Sequence, residues 1–269
     1  MTTESLLLVG RETRDGRDVL EAHADRLADR GIVDDVEVAT YERDPARELR
    51  SQFDALTADT VYAVPMCAAH THDTTMGVPN ALSSVAGDVH YCEPLGRSPA
   101  VTDVIADRGT AKLEASGDTS LILVGFGSSS KPYQRQTADY QAARLRERTD
   151  YDSVVTCYLL QNPAVECVRY NVSTDRSVAV PLFLSRTEAT EERIPEKLEL
   201  ARGGIEYADP LGDHPQVTDA IHAEVEKQRA LAADDAEPVS PTGGPPGDTP
   251  RPVATDGDGR KSENPPRRR

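Results

Sequence analysis

The sequence predicts an α/β protein made of two tandem copies of one domain. Each copy is a mostly parallel sheet flanked by helices, and a polar tail follows them. Three observations carry this expectation. The first is an internal repeat: Ser5-Leu-Leu-Leu-Val-Gly10 returns as Ser120-Leu-Ile-Leu-Val-Gly125, and Ala63-Val64-Pro65-Met66 as Ala179-Val180-Pro181-Leu182. Pro94-Leu95-Gly96 likewise returns as Pro210-Leu211-Gly212. The offset is 115 in the first block and 116 in the other two, so one register is kept across the repeat. The second is the alternation of short, continuously apolar runs with longer segments of helical spacing, the mark of strands covered on both faces. The third is a change of composition near residue 231. Beyond it, eight of the 19 prolines and no aromatic residue occur, so the segment buries too little apolar surface to offset its ordering entropy and is expected to be disordered.

The elements follow in order. Residues 6–9 form an apolar run that ends at a glycine. Residues 17–30 space Val19, Leu20, His23 and Leu27 along one helical face. Strands are expected at 36–41, 60–66 and 89–92, with helices at 45–57, 76–85 and 99–114. The second copy repeats this with strands at 121–124, 153–159, 177–184 and 205–208, and helices at 132–148, 163–170, 190–201 and 215–230. The expected domains are therefore 1–117 and 118–230, with a tail over 231–269.

Composition excludes several classes of function. The 269 residues carry a net charge of −16, and nucleic-acid binding requires the opposite sign. Five lysines stand against 25 arginines, and this acidic, lysine-poor surface resembles that of proteins from salt-loving organisms. No apolar run approaches the length needed to cross a membrane, and the N-terminus lacks the features of a signal peptide, so a cytoplasmic protein with no membrane partner is expected. Cys67, Cys92, Cys157 and Cys167 form no CxxC pair, so buried free thiols are expected rather than a disulfide framework.

Ligands of parallel sheets bind beyond the carboxyl ends of the strands. The residues after Val9, Met66, Val124 and Leu184 are thus the candidates. Gly10-Arg11-Glu12-Thr13-Arg14-Asp15 follows the first strand, and Gly125-Phe126-Gly127-Ser128-Ser129-Ser130-Lys131 follows its counterpart. Neither contains a phosphate-loop spacing. Ser128, Ser129 and Ser130 suit either ligand contact or a helix N-cap. After the third strand come His70 and His72. In an extended segment the two rings would face one side and could hold a divalent metal loosely. At the matching positions of the second copy stand Arg186 and Glu188, a carboxylate-binding arginine and a proton-accepting glutamate, or a plain ion-paired loop.

An apolar strand, a glycine and a polar turn come first. A histidine-bearing loop before [IV]-P follows (Val78-Pro79, Ile194-Pro195), and P-L-G-x-x-P comes last. Together they resemble the CbiX sirohydrochlorin cobaltochelatases of the class II chelatase superfamily, in their long two-domain form and from a halophilic archaeon. The resemblance spans about residues 5–230 and implies two flavodoxin-like domains. It also implies insertion of a divalent metal into sirohydrochlorin for cobalamin synthesis, with Co²⁺ as first choice and Ni²⁺ or Fe²⁺ as alternatives. Beyond the tetrapyrrole and its metal no cofactor is implied. The family's histidines lie in a G-H-G-S turn after the first strand and in the loop before [IV]-P. Here Arg11 and Phe126 occupy the first position, and the second falls at Asp73, one residue past His72. On the cobaltochelatase reading, His70 and His72 hold the metal and Glu188 or Glu12 accepts a pyrrole proton. Arg11, Arg14, Lys131, Arg186 and Ser128–Ser130 anchor the macrocycle. The alternative is a catalytically degenerate relative that binds metal or tetrapyrrole as a carrier, subunit or regulator.

Overall fold

The computed structural model describes residues 2–236, with side chains described through residue 233. The first half runs β1 (Glu4–Arg11), α1 (Gly16–Arg30), β2 (Asp35–Tyr41), α2 (Pro45–Glu48), α3 (Arg50–Phe53), β3 (Thr60–Pro65), α4 (Val78–Leu82), β4 (Asp88–Tyr91) and α5 (Pro99–Thr110). The second runs β5 (Thr119–Gly125), α6 (Tyr133–Arg148), β6 (Ser153–Tyr158), β7 (Arg176–Pro181), α7 (Ile194–Lys197), β8 (Ile205–Tyr207) and α8 (Pro215–Ala236). Each half is a four-stranded, all-parallel sheet, ordered β2-β1-β3-β4 and β6-β5-β7-β8. The central strands are buried along nearly their whole length, as parallel strands covered on both faces must be. These are the two tandem flavodoxin-like domains that the repeat implies. Among the described residues no helix is long and apolar enough to cross a membrane.

Several expected helices are shorter than their periodicity indicates. Residues 45–57 form two single turns, the first capped by Asp44, whose carboxylate accepts from the Arg47 amide. Residues 163–170 are a 3₁₀ segment from Val165 to Tyr170. At 76–85 and 190–201 the chain enters through π turns, Asp73–Gly77 and Ala189–Arg193. The cause is Pro79 and Pro195. A proline has no amide to give to the carbonyl four residues back and its ring crowds that carbonyl, so the ladder widens. The Val78 amide donates to Asp73 O and the Ile194 amide to Ala189 O, each five residues back. The tail expected from residue 231 begins later: residues 231–236 continue α8, and the remainder lies outside the described residues.

The packing units differ from the repeat units. Helix α5 belongs to the first copy in sequence but lies on the second sheet. A Cβ on Gly109 would stand 3.0 Å from Leu121 Cδ1 and 3.0 Å from the Tyr151 hydroxyl. Thr102 donates to Gln141 of α6 at 2.6 Å, and Asp103 pairs with Arg148 at 2.7 Å. Helix α8 lies in turn on the first sheet. Asp219 pairs with Arg30 of α1 at 2.8 Å, and the Arg229 guanidinium sits 5.4 Å from the ring of Tyr62 in β3. Val101, Val104 and Ile105 of α5 and Val217, Ile221 and Val225 of α8 are wholly buried in one apolar cluster spanning both halves. Burying one such side chain stabilises by about 1.5–3 kcal/mol, so six of them tie the halves firmly.

The P-L-G turns bind the loop after β4 or β8 to the loop after β3 or β7. The Gly96 amide donates to Ala68 O at 3.0 Å, and the Gly212 amide to Leu184 O at 2.9 Å. A Cβ on Gly96 would lie 2.0 Å from Ala68 O, and Gly212 has a φ of 59°. Glycine is thus required at the two sites for different reasons, close approach at one and left-handed backbone at the other.

Candidate functional site

The carboxyl edges of the two sheets meet. The Thr13 and Ser185 hydroxyls share a hydrogen bond of 2.9 Å, and the Arg186 amide donates to the Asp15 carboxylate at 2.7 Å. On the other side the Tyr133 ring, at the start of α6, stands edge-on to His70 with centroids 5.7 Å apart. The junction thus forms a cleft with two lips, each built from both halves, and Arg186 lies on one lip and His70 on the other.

On the first lip, Arg186 is surrounded by carboxylates. It pairs with Asp209 at 2.9 Å, Asp15 at 3.8 Å and Glu191 at 3.9 Å. A cavity of about 330 Å³ opens beside it, lined by Asp15, Asp18, Arg108, Asp209 and Asp213 among others. The pseudo-equivalent pair on the second lip is His70 with Glu93, at 3.2 Å. Both members lie 116 residues before Arg186 and Asp209. Because a carboxylate only accepts, His70 donates from Nε2, which leaves Nδ1 to accept from the Thr74 hydroxyl at 3.3 Å. Both ring nitrogens are engaged.

The extended segment expected around His70 and His72 is not formed. His72 has φ −60° and ψ −43° and precedes the Asp73–Gly77 π turn directly. The alternation that aims residues i and i+2 the same way holds only for strands, so the geometry expected to turn both imidazoles to one side is absent. His72 is exposed and His70 is half-buried against Glu93. Among the described residues no group of three or more His, Cys, Asp or Glu is placed to hold a metal ion.

The two positions that the resemblance assigns to histidines do converge. Arg11 ends β1 and Asp73 opens the π turn. The guanidinium lies 4.0 Å from the carboxylate and also donates from Nε to Glu42 O at 3.1 Å. Beneath them sit Tyr41, Cys67 and Tyr91. Burial pushes the Cys67 thiol up to about 12, and burial followed by the nearby Asp73 charge raises the Tyr41 hydroxyl. Burial raises the Tyr91 hydroxyl as well, and it donates to Thr74 O at 2.8 Å. Burial thus holds all three groups in their neutral forms at neutral pH. In the second half Phe126 takes the place of Arg11, and the buried Ala189 that of Asp73.

The remaining candidates divide. Ser128 accepts from the Lys131 amide at 3.1 Å and from the Ser130 amide at 3.4 Å, which is the turn-capping role. Ser129 and Ser130 stay exposed, as do Arg14, Lys131 and Glu188. Glu12 is committed to Thr40 at 2.5 Å and to Arg17 at 3.1 Å. The sequence reading did not single out Glu93, Asp209 or Tyr133. The offset of 116 linking Glu93 to Asp209 was available to find the first two. Tyr133 reaches His70 from the other half and carries no such signal.

Comparison with known proteins accords with this architecture. The model of the CbiX family matches residues 5–111 and again 120–228. A protein of Halobacterium salinarum named a probable sirohydrochlorin cobaltochelatase is 27% identical over 201 residues, covering 65% of this chain and 68% of its own. Among solved structures, SirB from Bacillus subtilis with Fe3+ superposes with a TM-score of 0.74 at 18% identity, over 86% of this chain and 98% of that one. A multi-domain protein from Deinococcus radiodurans, structurally similar to chelatases and carrying two additional domains, superposes with a TM-score of 0.71 at 21% identity. That match covers 85% of this chain and 56% of the Deinococcus protein, so the present chain spans little more than half of its length. With both halves matched in full register, the chain belongs to the CbiX family.

Proposed function

We propose that this protein is a CbiX-family member whose cleft binds an anionic tetrapyrrole without inserting metal, serving as a carrier, subunit or regulator. The observation that carries this reading is the Arg11–Asp73 pair. It stands where the family resemblance places the two histidines. A guanidinium does not ligate a metal, and its positive charge repels one. In the second half Phe126 and Ala189 offer no ligand either. What the cleft does offer an anionic macrocycle is exposed cationic side chains at the sheet edges, Arg14 and Lys131 among them.

A second reading keeps the insertion chemistry. His70, hydrogen bonded to Glu93 at 3.2 Å, is an imidazole–carboxylate pair at the cleft. On this reading His70 and His72 take up Co²⁺, Ni²⁺ or Fe²⁺ as substrate. Glu188 removes a pyrrole proton, and Arg11, Arg186 and Ser128–Ser130 orient the macrocycle. One experiment separates the two. Purified protein is mixed with sirohydrochlorin in high salt, alone and with each metal, and the absorption spectrum is followed. The first reading expects a bound-state spectral shift with insertion at the spontaneous rate. Insertion faster than the spontaneous rate, lost on replacing His70, establishes the second.

A further inference from the structure

The second sheet's carboxyl edge holds an aromatic group that the cleft chemistry above does not use. The chain has three phenylalanines and no tryptophan. Phe53 is buried in the first core, and the other two meet at this edge. Phe126 and Phe183 pack edge to face, with centroids 6.4 Å apart and planes at 77°. The Arg193 guanidinium lies 5.9 Å from the Phe126 centroid. Phe126 is nevertheless 37% exposed, and beside it Leu160, whose amide donates to Phe126 O, is 48% exposed.

Two features set this group apart from ordinary packing. The same positions in the first half hold Arg11, Cys67 and Gly77, so the fold does not require aromatic residues there. Arg193 also forms no ion pair among the described residues, in a chain where 46 acids outnumber 30 bases. Arg186, seven residues earlier, has three carboxylate partners. An exposed ring braced by a second ring, beside an uncommitted guanidinium, is built for a flat conjugated ligand that carries carboxylates.

We infer that Phe126, braced by Phe183, is the shelf on which the planar face of such a polycarboxylate ligand stacks, with Arg193 binding one of its carboxylates. This rests on the proposal that the cleft binds a tetrapyrrole, and it assigns the ring-binding surface to the second half. The test is an absorbance titration of sirohydrochlorin into the full chain in high salt, comparing wild type with Phe126→Ala, Phe126→Tyr and Arg193→Gln. Phe126→Ala is expected to weaken binding about tenfold and Phe126→Tyr to retain it, because stacking depends on the ring. Arg193→Gln is expected to weaken binding about threefold or more and to reduce its salt dependence. Circular dichroism of each variant checks that the fold is kept. Wild-type affinity in a folded Phe126→Ala variant overturns the shelf and leaves the tetrapyrrole proposal standing. Absence of binding by the wild type overturns the tetrapyrrole proposal and the shelf with it. A concentration-dependent dimer, abolished by Phe126→Ala, overturns the shelf by assigning the patch to a second copy of the chain.

Discussion

Arg11 and Asp73 face each other at 4.0 Å across the ends of β1 and the first π turn. One backbone geometry thus brings two distant positions together, and the chemistry carried there is an ion pair. The two positions lie close together, but one of their side chains, the Arg11 guanidinium, cannot ligate a metal. Replacing both residues, Arg11→His with Asp73→His, is expected to create an imidazole pair and tighten Co²⁺ binding by roughly tenfold or more. Calorimetry and the visible spectrum of bound Co²⁺ measure it. Unchanged affinity in the folded double variant would mean that the two positions do not converge as described.

His23 predicts an acid limit to stability. It is wholly buried between α1 and α8, donating from Nε2 to Gly212 O at 3.2 Å and accepting from the Thr218 hydroxyl at 2.8 Å. Burial, opposed in part by the Gly212 bond, lowers its pKa from 6.5 to about 4. The unfolded chain therefore takes up a proton near pH 6.5 that the folded chain refuses until near pH 4. Stability from this group is complete above pH 6.5 and falls as the pH drops towards 4, by about 3 kcal/mol in all. Denaturant unfolding at a series of pH values should show that slope, and His23→Gln should flatten it.

Arg186 predicts a salt-sensitive latch. It links the loops of the two halves through Asp15 and Asp209 but is nearly half exposed, so solvent screens its pairs. Arg186→Ala should cost about 1 kcal/mol at low salt and less as salt rises. Urea unfolding at two ionic strengths would reveal this, and a loss that does not vary with salt would point to packing instead.

The exchanged helices predict that the first sequence repeat does not fold alone. A fragment of residues 1–117 keeps α5, whose sheet is missing, and lacks α8, which covers β3. Val101, Val104 and Ile105 would then face water. The fragment is expected to lack dispersed amide resonances and to lose cooperative unfolding, whereas the whole chain unfolds in one transition. A folded, monomeric fragment would show that α8 is dispensable to the first sheet.

The strands, their parallel arrangement and the duplication were legible in the sequence because each depends on local pattern. An apolar run reads as a buried strand wherever it occurs, and Ser5–Gly10 repeats as Ser120–Gly125. The π turns before Pro79 and Pro195 were less legible. There apolar spacing and proline conflict, and the missing amide prevails. The His70–His72 pairing was read from strand geometry, and a π turn beginning at Asp73 removed that geometry. Tyr133 and Phe183 had no local signal, since a ring gains meaning only from what the fold sets beside it.

Composition and periodicity alone therefore establish an acidic, duplicated, parallel α/β chain with its candidate residues at the strand ends. Tertiary structure decides which of those residues meet. It sets Arg11 against Asp73, His70 against Glu93 and Tyr133, and each half's last helix on the other half's sheet. The reason is range: strand and helix formation answer to neighbours a few residues away, whereas these contacts depend on how two sheets dock through buried apolar surface.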